Sequence, residues 1–274
     1  MPALPEHPSF EAVDSDRLRG VLAEGAPVVF LSPHLDDAVL SCGALMQVVS
    51  ERCPLTVATV FTEATCGPHT RAARSFLAQC SASSARSLFA ERRTEDREVL
   101  DRLGAVHRHL GFADALFRRR VSRAGLPTRV IGSVLPEVLH RYPTYRFDIA
   151  LGRLARGDRE LAAEMQVRVA QLLIDTSAAI LFCPIGVGRH VDHLLVRALG
   201  TRFASSVIYY ADFPYSLRAV PDPSFVKAQE LSPWTWDSGI REKGDLIRGY
   251  RTQVDALFPA GRIPMASELY FSKV

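Results

Sequence analysis

Val28, Val29, Phe30 and Leu31 form an uninterrupted apolar run, closed by Ser32-Pro33. Alternating polarity would mark a strand with one wet face; a run with no polar position marks a strand covered on both faces. Such strands belong to parallel sheets, whose neighbours must be joined by crossovers of a dozen residues or more, usually helices. The rest of the chain supplies them. After a short helix around Asp16–Glu24, helical patterns cover Ala38–Val49, Glu91–Leu103 (stopped by Gly104), Glu160–Ile174 and Leu194–Phe203. A last long helix is expected over Gly239–Phe258. Strand patterns cover Leu55–Phe61, Val106–Leu110, Ala179–Cys183 and Val207–Tyr210. The alternation predicts an α/β fold of three layers on a mainly parallel sheet. Without an internal repeat, low-complexity tract or linker, residues 1–274 read as one domain. Two stretches are poorly patterned: 63–87, expected as a long loop with some helix, and 111–158, expected as an insertion near the site.

Composition narrows the partners. With 47% hydrophobic and 23% charged residues, the chain is that of a globular protein with a sizeable core. The net charge is only +3. The basic triplet Arg118-Arg119-Arg120 has no interleaved aromatics and reads as a solvated turn, so no nucleic-acid partner is expected. Cysteines at 42, 53, 66, 80 and 183 are odd in number and lack C-x-x-C spacing, which argues against both a disulfide framework and a cysteine zinc site. Met1–Phe10 lacks the basic-then-apolar pattern of a signal peptide. No apolar run approaches the ~20 residues of a membrane span. A cytoplasmic setting is the expectation, and the sequence gives no oligomeric state.

Ligands of open parallel sheets bind at the carboxyl ends of the strands. Two motifs fall there: Ser32-Pro33-His34-Leu35-Asp36-Asp37, and His190-Val191-Asp192-His193 after the Gly-rich turn Pro184–Arg189. Taken separately, Asp36 and Asp37 could cap a helix and His34 could hydrogen-bond in a turn. Taken together, they bring imidazoles and a carboxylate to one point. Three protein ligands and an open position make a catalytic rather than a structural metal site. Adjacent Asp36 and Asp37 cannot easily point the same way, so one can bind metal while the other faces a water as general base. His190 and Asp192 form a further pair, suited to an oxyanion or a leaving amine.

S-P-H-L-D-D and H-V-D-H resemble the paired signatures of the PIG-L / LmbE-like zinc N-deacetylase family. Further likenesses are Arg92-Arg93-Thr94-Glu95 with Leu103-Gly104, Gly111–Asp114, Asp212-Phe213-Pro214-Tyr215, and Lys243, Tyr250, Gln253 and Leu257-Phe258. The resemblance implies a Rossmann-like three-layer sandwich and a hydrolase that removes an N-acyl, chiefly acetyl, group from an N-acetylglucosamine-like amino sugar or glycosylated small molecule. It implies His34, Asp37 and His193 as ligands of Zn2+ (or another divalent ion such as Fe2+). It implies Asp36 as the base that deprotonates a zinc-activated water, His190 as stabiliser of the tetrahedral intermediate and Asp192 as its orienting partner. Asp114 then reaches a sugar hydroxyl. Leu35 and Ala38 depart from the Pro and Glu of many members, and Gly188 stands where some carry a mobile Tyr. The alternatives are an amidase of the same family acting on a thiol conjugate or peptide-like amide, and a non-catalytic metal- or sugar-binding module. A nucleotide-binding oxidoreductase is disfavoured, because no G-x-G-x-x-G follows a strand.

Lesser signals remain. Arg92 and Glu95 share a helix face, as a surface ion pair or, for Arg92, as a substrate contact in the pocket wall. His107 and His109 share a strand face, but no acidic partner lies close in sequence, so a second metal site is not expected. Cys42 and Cys183 have the apolar neighbours of inert core thiols. Trp234 and Trp236 fall in a Pro/Ser-rich stretch read as a covering loop.

Overall fold

The structure, a computed structural model, describes residues 15–120, 135–203 and 206–273. Met1–Phe10 and residues 121–134 of the second poorly patterned stretch lie outside the described residues. The strands are β1 (Val28–Ser32), β2 (Leu55–Glu63), β3 (Val106–Ala113), β4 (Ile180–Pro184), β5 (Val207–Tyr210), β6 (Leu231–Trp236) and β7 (Glu268–Lys273). They form one sheet in the order β3-β2-β1-β4-β5-β7-β6. β1 to β5 are parallel; β7 runs antiparallel to β5, and β6 antiparallel to β7. The apolar run is the central strand β1, buried at all five positions.

The α-helices of six residues or more among the described residues are α1 (Asp16–Glu24), α2 (Asp37–Ser50), α3 (Arg71–Gln79), α4 (Ala85–Arg102), α5 (Asp158–Thr176), α6 (Val191–Gly200), α7 (Pro223–Ala228), α8 (Ile240–Ile247) and α9 (Arg251–Leu257). Side chains alternate across β1. Val28 and Phe30 pack into the core under α1, α2 and α4, whereas Val29 and Leu31 pack against α5 and α6. Phe30 stacks on Phe182 of β4, with ring centroids 4.0 Å apart. Full burial of a side chain of that size contributes about 1.5–3 kcal/mol, so the two apolar layers fix β1 and β4 side by side.

Residues 63–87 mix loop and helix, as expected: α3 takes 9 of them, and α4 starts at Ala85 because Ser84 caps it, accepting the Ser87 N–H at 3.0 Å. Three other expectations are corrected. The long C-terminal helix is two helices, α8 and α9, separated at Gly249-Tyr250. A Cβ on Gly249 would stand 2.4 Å from Val99 Cγ2 and 2.2 Å from an Arg102 nitrogen, so the break lets the backbone close onto α4. Trp234 and Trp236 are not in a covering loop. They are strand residues of β6, buried, and Trp234 stacks on Tyr270 at 4.4 Å. Arg118 is not in a solvated turn; it is 4% exposed and ion-paired on two sides.

Candidate active site

The chain winds from β1 outward through β2 to β3, then returns to β4 beside β1 and continues to β5. β1 and β4 therefore flank the point where the sheet reverses its winding, the usual place for a crevice. Both motifs leave the sheet there, His34 to Asp37 after β1 and His190 to His193 after β4.

The first turn is pinned by Ser32, whose hydroxyl donates to His34 O at 2.6 Å and accepts the Ala38 N–H at 3.0 Å. With that duty taken, Asp36 occupies the cap position of α2 without a side-chain capping bond. Its carboxylate accepts no hydrogen bond among the described residues and lines a cavity of about 500 Å3. Asp37 instead folds back: Oδ2 accepts the His34 backbone N–H at 2.8 Å and lies 3.0 Å from His34 Nδ1 and 3.3 Å from His193 Nε2. The two adjacent carboxylates thus part company, as their adjacency in sequence required.

The second turn carries Gly186 and Gly188 at φ 80° and 82°, the left-handed region where a side chain is strained. At Gly188 the space is also taken, since a Cβ would approach the Tyr215 ring to 3.2 Å. A tyrosine absent at 188 in sequence is thus met by the Tyr215 ring in space, 6.2 Å from His193, while Tyr145 stands 6.1 Å from His190.

His193 is fixed from behind by Asp212, which follows β5. Asp212 Oδ1 accepts from His193 Nδ1 at 2.6 Å, and its Oδ2 accepts the Val187 N–H at 2.7 Å. The proton held on Nδ1 leaves the Nε2 lone pair facing Asp37 and His34. One ligand atom each from His34, Asp37 and His193 falls within 4.8 Å of the others. His34, His190 and Asp192 make a second group on the same criterion. The first group fits a divalent ion better. Its His193 is backed by a carboxylate in the manner of metal-binding histidines, whereas Asp192 is already committed. Asp192 Oδ1 pairs with Arg118 at 2.5 Å, and Oδ2 accepts the Ala115 N–H at 2.9 Å and lies 3.1 Å from His34 Nε2.

Asp192 therefore orients His34 rather than His190 through its carboxylate. Its tie to His190 is the backbone N–H, donated to His190 Nδ1 at 3.3 Å. That bond leaves Nε2 as the protonated nitrogen of a neutral His190 ring. Arg118, unrecognised in the sequence, bridges Asp192 to Asp158 and stacks over Phe61 at 4.7 Å. A carboxylate after a parallel strand was a usable signal for Asp212; nothing in an arginine triplet marks one member as buried.

Electrostatics separate the acids. Burial and the neighbouring Asp37 charge push Asp36 up to about 7, against the opposing pull of Arg92 and His34. Burial acts upward on Asp37 too, but the His193 and His34 imidazoles outweigh it and hold its carboxyl well below the usual range. Burial likewise opposes ionisation of Asp192, and Arg118 overrides it, lowering that group. His190 is driven well below the ordinary imidazole value by burial and by the charge on His34. His193 is raised, because Asp37 and Asp212 outweigh its burial.

Arg92 and Asp114 both line the cavity. Arg92 does not pair with Glu95, which accepts from the Thr252 N–H and hydroxyl; its guanidinium lies over Phe76 and Phe89 at 5.9 and 5.5 Å. Asp114 caps the turn Ala115–Phe117 and places Oδ2 3.5 Å from His34 Nε2. His109 does have an acidic neighbour, Asp96 of α4, at 2.8 Å, and Asp96 also accepts from the Tyr250 hydroxyl at 3.0 Å. These two with His107 do not form a metal group among the described residues. Cys42 and Cys183 are buried thiols, and burial raises both. No helix of the described residues is long and apolar enough to cross a membrane.

The family model for PIG-L, GlcNAc-PI de-N-acetylase, matches residues 29–204. A 2'-N-acetylparomamine deacetylase of Streptomyces fradiae is 31% identical over 217 residues, covering 76% of this chain and 65% of that protein. One of the same name from Niallia circulans is 25% identical over 205 residues, covering 68% and 66%. The chain thus spans just under two thirds of the length of the curated relatives it matches. Among solved structures, the A40926 pseudoaglycone deacetylase superposes with a TM-score of 0.64 at 23% identity. The zinc-inhibited form of a teicoplanin deacetylase does so at 0.68 and 22%. Each superposition covers 90% of this chain and 97% of the other, a likeness of fold.

Proposed function

The chain belongs to the PIG-L, GlcNAc-PI de-N-acetylase family, and from that premise we propose that it is a zinc-dependent hydrolase. Acting as a single domain, it would remove the acetyl group from an N-acetylglucosamine-like amino sugar or glycosylated small molecule. The observation that carries the reading is one juxtaposition. A three-donor group, His34, Asp37 and His193, stands in the same cavity as a neighbouring carboxylate, Asp36, that has no capping duty.

His34, Asp37 and His193 would hold the ion, which when bound supplies a water of pKa near ~7 and a Lewis acid for the amide carbonyl. Asp36 takes one proton from the attacking water as its oxygen bonds to the carbonyl carbon. The raised affinity of Asp36 for a proton suits it to that task. His190, neutral and protonated on Nε2, donates to the carbonyl oxygen as charge gathers there. The C–N bond then breaks and Asp36 returns its proton to the departing nitrogen, leaving the amine and acetic acid, whose remaining proton passes to the amine so that acetate and ammonium are released. Asp192 and Asp212 act behind the histidines, keeping His34 and His193 in one tautomer and one orientation. Asp114 and Arg92 face the sugar from the cavity wall.

Asp36→Asn tests the assignment. The variant should bind one equivalent of zinc and release acetate at least ~100-fold more slowly, the general-base contribution. Full activity in it would remove Asp36 as the base.

A further inference from the structure

Apolar side chains left in water gather at the mouth of the cavity. Of the thirteen large apolar residues exposed among the described residues, six stand on two segments that border it: Tyr145, Phe147, Leu151 and Leu154 on one, Tyr215 and Leu217 on the other. Single exposed apolar residues are ordinary, whereas a contiguous group beside a pocket marks a binding surface. Tyr145 and Tyr215 belong to both cavity and surface. Each lines the cavity, and each is more than a third exposed, at 45% and 39%.

Glycines bring the two segments together. Gly152, next to Leu151, packs so closely on the Gly-rich turn that a Cβ would stand 2.7 Å from Arg189 O, and Gly188 of that turn faces the Tyr215 ring. The first segment starts with a wide turn of π-helix, Tyr145–Ile149, a form frequent at functional sites. This turn sends Ile149 fully inward, into the core that holds Leu35 and Val191, and leaves Tyr145 and Phe147 outside. Asp148 Oδ2 accepts the Thr144 N–H at 2.9 Å and the Thr144 hydroxyl at 2.6 Å, and the buried Tyr142 donates its hydroxyl to Asp158. The exposed side chains therefore stand on a fixed base, and a ligand that covers them has little backbone left to order. Arg146, Arg153, Arg189 and Arg218 are exposed beside them, so this surface gives a cationic group no counter-charge.

We propose that this rim, on the side of the mouth where Tyr145 meets His190 and Tyr215 meets His193, binds an apolar aglycone. Resting on the deacetylase reading above, this makes the substrate an aryl or long-chain alkyl glycoside. Its N-acetylated amino sugar enters the cavity, and its aglycone lies outside across Tyr145, Phe147, Leu151 and Tyr215. Continuity identifies the occupant as the substrate itself: cavity and rim share two tyrosines, so a group that leaves the cavity on this side meets the rim first.

A matched pair of substrates decides it: the 4-phenylbenzyl and methyl glycosides of N-acetylglucosamine, each in both anomeric forms. Acetate release by the zinc-loaded protein should favour the arylated glycoside of one anomer by about tenfold or more in kcat/KM, the effect of burying roughly 60 Å2 of apolar surface. The gain should appear mainly as a lower KM, as expected of binding shared by ground state and transition state. The double variant Phe147→Ser, Leu151→Ser, at two exposed positions, should bring the ratio towards one. Equal kcat/KM for both glycosides, or a preference that the double variant keeps in full, would overturn the inference and leave the deacetylase reading standing. So would self-association in sedimentation that the double variant abolishes, if no preference accompanies it, since the rim would then belong to a second copy. Absence of acetate from every glycoside would overturn the deacetylase reading. Calorimetry with the corresponding glucosamine glycosides then decides the rim: tighter binding of the arylated one, lost in the double variant, supports it, and equal affinity refutes it.

Discussion

Asp212→Asn probes how far the site depends on a carboxylate that touches no substrate. In the wild type both oxygens accept, one from His193 Nδ1 at 2.6 Å and one from the Val187 N–H at 2.7 Å. Asparagine has nearly the same shape but only one accepting atom, so its NH2 must face one of the two donors. If the NH2 turns to Val187, a buried backbone donor is left unpaired at a cost of about 1–3 kcal/mol. If it turns to His193, that ring must carry its proton on Nε2, the atom needed for the ion. Either outcome weakens the site, and loss of such a partner typically reduces metal affinity ~10–100-fold, or about 1.4–2.7 kcal/mol. Asp212 also contributes to the raised proton affinity of His193, and that contribution disappears in the variant. Competition with a chromophoric chelator for zinc reads the affinity directly, with circular dichroism confirming the fold. An unchanged zinc affinity in a folded Asp212→Asn protein would refute the reasoning.

Two further outcomes follow from buried charge. Arg118→Met leaves Asp192 and Asp158 buried without their shared cation, and breaking a buried pair on one side costs about 3–5 kcal/mol; urea unfolding showing a loss under ~1 kcal/mol would contradict that. Asp36, pushed up to about 7, binds its proton more tightly folded than unfolded. Its contribution to the stability of the metal-free protein is therefore complete below about pH 4 and is lost as pH rises to about 7. Asp36→Asn should flatten that part of the pH–stability curve between about pH 4 and about pH 7, and an identical slope in both proteins would count against the raised proton affinity.

The parts of the fold that were legible in the sequence are those where one force acts alone. β1 is apolar at every core position because two layers cover it, so its place in the sheet was visible in four letters, Val28 to Leu31. The two motifs that carry His34, Asp37 and His193 were legible because both fall at strand ends, and the choice of these three as donors was what the family resemblance implied. Elsewhere polar residues conceal buried structure. β7 includes Glu268, a buried carboxylate that accepts the N–H groups of Ala44 and Leu45 and pairs with Lys243, so an interior strand carries a charge. β6 includes Pro233, which masks a strand that holds two buried tryptophans. Arg118 and Asp212 act through partners far away in sequence, Asp192 and His193, and such pairings are set by the tertiary fold alone. The split of α8 from α9 likewise depends on how closely α4 approaches Gly249.

The central claim is metal-assisted removal of acetate by this one cavity. The most direct measurement is acetate and amine release from N-acetylglucosamine and its glycosides by the zinc-loaded protein, by the same protein stripped with a chelator, and after zinc is restored. The account predicts equal amounts of acetate and amine, loss of both on stripping, and recovery with about one zinc per chain. Hydrolysis that persists undiminished in the fully stripped protein, or no acetate from any N-acetylated amino sugar in the loaded one, would contradict it.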